Sequence, residues 1–160
     1  MDRPKEFEIG SSLDEMYRIE QFVEEMSDEY LLYGSYFGNI LMAVTEAVKN
    51  AIIHGNDADR QKKVKICREI VKEGLLIRVT DEGNGFDYKS RLRGIQDLSG
   101  LDDGKNGLFL IQKLTDELAF LNGGRTIEML FRINGIDESI FNRRATIMNE
   151  FFRVYQRNNV

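Results

Sequence analysis

The run TEAVKNAIIHGN, from Thr45 to Asn56, sets Glu46 and Asn50 four positions apart in a stretch rich in Ala, Val and Ile. At that spacing on a helix, a carboxylate and an amide project side by side. The amide oxygen suits a hard cation such as Mg²⁺, which leaves the carboxylate to orient or deprotonate a nucleophile. On a half-buried face the carboxylate needs a compensating partner, failing which burial favours its neutral form. The other reading of the pair is an exposed helix face on which both groups meet water. His54, the only histidine, is followed by Gly55. It reads as the end of the helix, with Gly55 as a C′ residue, because a histidine is favourable near a helix C-terminus.

Two glycine-rich stretches carry further candidates. VTDEGNGF places Asp81 just past a β-rich run, with Gly83 and Gly85 behind it. A carboxylate there could accept a hydrogen bond from the amino group of a base, and the glycines would let the backbone approach a flat ring. A tight turn explains the same residues. DDGKNGLFLI sets Gly104, Lys105, Asn106 and Gly107 at the start of a helical pattern. The N–H groups of a helix start, with a lysine beside them, can hold phosphate. This is not a Walker A loop, since only three residues separate Gly100 from Gly104 and Asn106 stands where Ser or Thr would hold Mg²⁺.

The elements that must position these groups follow from periodicity. EFEIGSS reads as a short strand, after which Ser12 or Asp14 caps a helix with Met16, Ile19, Phe22, Val23 and Met26 on one face. A second helix is predicted from about Tyr36 to His54, its core stripe formed by Leu41, Val44, Val48, Ala51 and Ile52 opposite Glu46. KVKICREIVKEGLLIRVT predicts a hairpin turning at Gly74. Residues 82–106 lack periodicity and read as a functional loop or lid. GLFLIQKLTDEL then predicts a helix, LAFLN and RTIEMLFRIN two strands joined at GG, and the residues beyond Gly135 a last amphipathic helix. The fold class expected is α+β, a two-layer α/β sandwich with a mixed sheet and helices on one face. One domain spans residues 1–135, with 136–160 as a C-terminal helical extension.

Composition excludes several classes. A chain of 160 residues with 42% hydrophobic content has room for one sizeable core. Its net charge of -5 and the absence of a basic run argue against nucleic acid as a direct partner. A single cysteine, Cys67, permits no internal disulfide and suits a reducing compartment. The charged start and the lack of an apolar run of about 18 residues point to a cytoplasmic protein with no membrane partner. Residues 1–30 carry ten acidic and three basic groups, a surface that could face a basic partner or simply be solvated.

Taken in order, E-x-x-x-N on a helix, D-x-G-x-G after a strand and G-x-x-G-L opening a helix resemble the three boxes of the histidine kinase-like (GHKL) ATPase superfamily. EAVKNAIIHGN in a short chain looks most like the bacterial anti-sigma factor serine/threonine kinases, over roughly residues 5–134. That resemblance implies a Bergerat-type ATP-binding fold, with ATP and Mg²⁺ as ligands. It casts Glu46 as general base, Asn50 as the Mg²⁺ ligand, and Asp81 as the acceptor for the adenine amino group, with Gly83 and Gly85 shaping the floor. Gly104, Lys105, Asn106 and Gly107 would cradle phosphates, residues 86–106 would form the ATP lid, and Thr126 would assist adenine binding. It also implies a sigma factor or similar regulator as one partner, a small anti-anti-sigma antagonist phosphorylated on serine or threonine as another, and a homodimer, with Arg18 on the partner-facing helix.

The resemblance has departures. Relatives commonly carry a denser glycine pattern where Lys105 and Asn106 stand, and the helix after Gly135 is an addition whose apolar residues could pack on the protein's own sheet, seal a homodimer or occupy the face that relatives use for a partner; self-packing is the expectation. The competing reading is a nucleotide-binding module that sequesters partners without kinase turnover. A detached histidine kinase catalytic domain and a gyrase- or Hsp90-type ATPase fit less well.

Overall fold

The computed structural model describes residues 3–32, 34–85, 87, 106–133 and 138–158. Along the chain run β1 (Lys5–Gly10), α1 (Tyr17–Tyr30), α2 (Ser35–Asn50), β2 (Lys63–Val71), β3 (Gly74–Thr80), α3 (Asn106–Leu114), β4 (Glu117–Leu121), β5 (Thr126–Phe131) and α4 (Glu138–Asn158). Ser12 starts the first helical turn, its side chain accepting the Asp14 N–H at 3.3 Å. That turn is a short 3₁₀ segment, Leu13–Glu15, and α1 follows it.

The strands form a single sheet in the order β1-β2-β3-β5-β4. Every pairing in it is antiparallel, which corrects the expected mixed sheet. The reason lies in how the second hairpin docks. After β3 the chain returns through α3, so β4 runs parallel to β3, yet β5 is the strand that pairs with β3 and keeps the two apart. Hairpin periodicity does not say which of its strands faces inward.

Strand alternation supplies the sheet's inner face. Val64 and Ile66 of β2, Leu75, Ile77 and Val79 of β3, and Ile127, Met129 and Phe131 of β5 are all buried in one core. The helices contribute Ile19, Val23 and Met26 from α1, Val44, Val48, Ala51 and Ile52 from α2 and its extension, and Leu110, Ile111 and Leu114 from α3. This is the α+β two-layer arrangement, and α2 lies along α3 within the helix layer. Charge also reaches the inner face: Arg68 is buried between the rings of Phe22 and Tyr30 and is paired with Glu29, which also accepts from Lys5, the residue opposite Arg68 on β1. On the outer face Arg78 bridges Glu128 at 2.6 Å and Glu69 at 3.2 Å.

The last helix packs on the chain's own α2 and α3. Ile147, Met148 and Phe151 lie against the core, while Phe152 and Tyr155 are exposed. Among the described residues no helix is long and apolar enough to cross a membrane.

Ile77 is fully buried on the central strand β3, whereas Ile53 is 42% exposed on the outer side of the turn after α2. Ile77→Ala is expected to lower stability by about 2–5 kcal/mol and Ile53→Ala by less than about 0.5 kcal/mol, read as shifts of the urea midpoint. Equal shifts would contradict this packing.

Candidate functional site

Helix α2 carries the site because one of its faces is withheld from the core. Glu46 and Asn50 are both half-buried there, whereas Ala43 and Ala47 at its border belong to the core. The carboxylate has the compensating partner its position requires, since Lys49 Nζ donates to Glu46 Oε1 at 3.1 Å. The Asn50 Nδ2 atom is buried without a hydrogen-bond partner among the described residues. Gly107, in the first turn of α3, closes on the pair. A Cβ added there would lie 2.9 Å from Glu46 Oε2 and 3.4 Å from Asn50 Nδ2. The structure therefore brings Gly107 onto a pair that the sequence holds more than 50 positions away from it.

Beyond Asn50 the helix does not stop at a left-handed glycine. It widens into a π-helical turn, Ala51–Gly55, sealed by the Asn56 N–H bonding to the Ala51 carbonyl at 2.8 Å. Such turns recur at functional sites. Gly55 is glycine here because its backbone abuts Asp81: a Cβ would overlap the Asp81 carboxyl group. This replaces the C′ role expected of Gly55. Asp81, just past β3, is 7% exposed, and its Oδ1 accepts the Gly83 N–H at 2.8 Å. Burial raises its carboxyl above the ordinary 3.8, against the lowering effect of the Gly83 hydrogen bond and of Arg125 and Lys62. Gly83 packs on the Gly55 carbonyl, and Gly85, at φ +80°, packs on the Gly123 carbonyl.

Asn56 was not among the sequence-derived candidates. It is fully buried, its Nδ2 donates to the Lys63 carbonyl at 3.0 Å, and its Oδ1 accepts the Glu82 N–H at 2.8 Å. It thus ties the end of α2 to β2 and to the Asp81 loop. The available signal was an asparagine directly after HG, a residue type whose short amide bonds nearby backbone.

Thr126, expected to assist adenine binding, is the first residue of β5. It stands opposite Thr80, and the two hydroxyls lie 2.9 Å apart, with Asn122 Nδ2 donating to Thr126 Oγ1 at 3.1 Å. Alternation turns both threonines to the sheet face away from the helices, while Asp81 points to the helix side, at Gly55. Thr126 is therefore not brought to the Asp81 carboxyl. The carbonyl of its neighbour Arg125 accepts the Asp81 N–H at 2.9 Å. Gly104, Lys105 and nearly all of the proposed 86–106 lid lie outside the described residues, and Asn106 is placed only as the first residue of α3.

Arg18 donates to Glu15 at 2.8 Å and sits 6.0 Å from the Phe7 ring. With Lys5, Phe7, Phe22 and Arg68 it lines a shallow cavity between α1 and the first strands.

The arrangement offers a carboxylate and an amide at one end of a helix face, and a buried carboxyl at the other. About nine residues separate Glu46 from Gly55, a span of roughly 13 Å. This is a length suited to a nucleotide with an extended phosphate chain. Among the described residues no cluster of three or more His, Cys, Asp or Glu could hold a metal. A cation at Asn50 would therefore be carried largely by phosphate oxygens and water, which is how Mg²⁺ is commonly bound.

Residues 9–131 match the family described as the histidine kinase-like ATPase domain. The serine-protein kinase RsbW of Staphylococcus epidermidis is 36% identical over 97 residues, covering 56% of this chain and 61% of that protein. RsbW of Bacillus subtilis is 30% identical over 104 residues, covering 61% and 65% respectively. The chain thus spans about three fifths of the curated relatives it matches. The crystal structure of the RsbU and RsbW domains of Rv1364c from Mycobacterium tuberculosis superimposes with a TM-score of 0.54 at 17% identity, covering 79% of this chain and 31% of that one. This last likeness concerns the fold alone.

Two outcomes are expected from this geometry. Asn56→Ala strands the Glu82 N–H and the Lys63 carbonyl, and should cost about 1–3 kcal/mol in chemical denaturation. An unchanged midpoint would contradict the tether. Asp81→Asn keeps an acceptor for Gly83 and removes the buried charge. Because burial raises the folded-state value above 3.8, the folded state holds the proton more tightly, and the contribution of Asp81 to stability falls as pH rises through that value. The thermal stability of Asp81→Asn relative to wild type should grow from about pH 4 toward neutrality. A shrinking difference would overturn the assignment.

Proposed function

Because the chain belongs to the histidine kinase-like ATPase domain family, we propose that it binds Mg-ATP along the α2 face that carries Glu46 and Asn50 and transfers the γ-phosphoryl group to a serine or threonine hydroxyl of a protein. The observation that carries this reading is the convergence of Gly107 on Glu46 and Asn50, which sets a helix start beside a carboxylate and an amide. The acceptor is a small antagonist protein, and the chain itself holds a sigma factor or similar regulator through its acidic first helix, α1, the face that includes Arg18. The similarity to serine-protein kinases RsbW supports this choice of acceptor chemistry. A homodimer is the assembly we infer from the same resemblance.

Each residue then has a task. Asp81 accepts a hydrogen bond from the adenine amino group, and Gly83 and Gly85 keep side chains out of the ring's way. The N–H groups opening α3, from Asn106 and Gly107, face phosphate oxygens, and Gly104 and Lys105 extend that cradle. Asn50 holds Mg²⁺, which when bound neutralises phosphate charge as the transfer proceeds. Glu46 accepts the proton of the incoming hydroxyl. As the new O–P bond forms, the bond from the γ-phosphorus to the bridging oxygen breaks, and ADP leaves with that electron pair. Positioning and charge neutralisation supply most of the rate, and no covalent enzyme intermediate is needed.

Glu46→Gln separates binding from chemistry. Titration calorimetry should find Mg-ATP affinity within about threefold of wild type, while single-turnover ADP formation from bound ATP, with water as acceptor, falls about 10²–10⁴-fold. Wild-type protein that binds Mg-ATP and forms no ADP, alone or with an antagonist, would identify a partner-sequestering module instead. Unchanged turnover in Glu46→Gln would remove Glu46 from the role of base.

A further inference from the structure

Lys49 stands between Glu46 and Asn50 in sequence, and its ammonium donates to Glu46 Oε1 at 3.1 Å. A pair at i,i+3 on a helix contributes little to stability, least of all when the lysine side chain is 42% exposed. Its place is what distinguishes it. The other oxygen of the same carboxylate, Oε2, faces Gly107 in the first turn of α3, with the Asn50 amide alongside. The ammonium therefore flanks the corner at which the phosphate chain would end, on a flexible four-carbon stem that can turn toward it.

We propose that Lys49 is a specificity-determining cation for the terminal phosphate, exchanging the Glu46 carboxylate for a γ-phosphate oxygen when ATP binds. The exchange follows from charge. Glu46 and the γ-phosphate are both anionic and must lie close if the carboxylate is to take the hydroxyl proton, so the cation between them relieves their repulsion. The more highly charged phosphate draws the ammonium, and the released carboxylate is free to accept a proton. With a diphosphate the terminal group is missing, and Lys49 stays on Glu46. The inference rests on reading this site as an ATP site, and it adds a reason for the site to tell ATP from ADP.

The test is titration calorimetry of the full chain with Mg-ATP and with Mg-ADP, for wild type, Lys49→Met and Lys49→Arg. Methionine suits the half-exposed helical position, so the variant should fold, and circular dichroism verifies it. Lys49→Met is expected to weaken ATP binding about tenfold and ADP binding less than twofold, and Lys49→Arg to restore the preference for ATP. An ATP-to-ADP affinity ratio in Lys49→Met equal to that of wild type would overturn the proposal while leaving the nucleotide site intact. Wild-type protein that binds neither nucleotide would overturn the reading of the site, and this proposal with it.

Discussion

Gly55 lies so close to the Asp81 carboxyl that no side chain fits between them, and this contact fixes the end of α2 against the end of β3. The consequences run in both directions. Toward the sheet, it buries a carboxyl that would otherwise be hydrated, and the Gly83 N–H offsets part of that cost. Toward the helix, it sets the distance and angle at which Glu46 and Asn50 stand, because a helix is stiff over a few turns. The π-helical turn that ends at Gly55 is the device that brings the backbone to Asp81, and Asn56 locks the result with two hydrogen bonds. A nucleotide laid along this face would be measured by the protein at both ends.

Much of this was legible in the sequence because the relevant signals are local. The apolar period of α1 and α2, the hairpin around Gly74 and the helix after Gly107 all follow from 3.6- and 2-residue patterns, and each is present. The three polar-and-glycine boxes were also legible as an ordered set. What escaped were properties that depend on neighbours distant in sequence. GG followed by RTIEMLF marks a strand, but only its pairing with β3 shows that Thr126 faces away from Asp81. Gly55 after His54 has the form of a helix stop. The reason for its lack of a side chain is a carboxyl 26 positions later.

The sheet illustrates the same limit on a larger scale. A helix between β3 and β4 implies that those strands run in one direction, and a mixed sheet is the natural inference. The chain avoids a parallel pair by placing β5 between them, which lets Val79, Ile77 and Leu75 meet Ile127, Met129 and Phe131 across a single ladder. That choice is made by inward-facing side chains, and no local pattern encodes it. Lys49 is a similar case, since a lysine in a helix is unremarkable until its ammonium is found on the Glu46 carboxylate, which borders Gly107.

On the proposed function, the buried carboxyl of Asp81 reads a base amino group while the far end of α2 handles phosphate. Calorimetric comparison of ATP with inosine triphosphate tests it most directly, because the two share sugar and phosphates and differ where the 6-amino group becomes a carbonyl. A site built to hydrogen-bond that amino group leaves a buried group unpaired against the analogue, so inosine triphosphate should bind at least about 100-fold more weakly. Equal affinities would mean that Asp81 does not read the amino group and that the helix and its carboxyl hold something other than adenine.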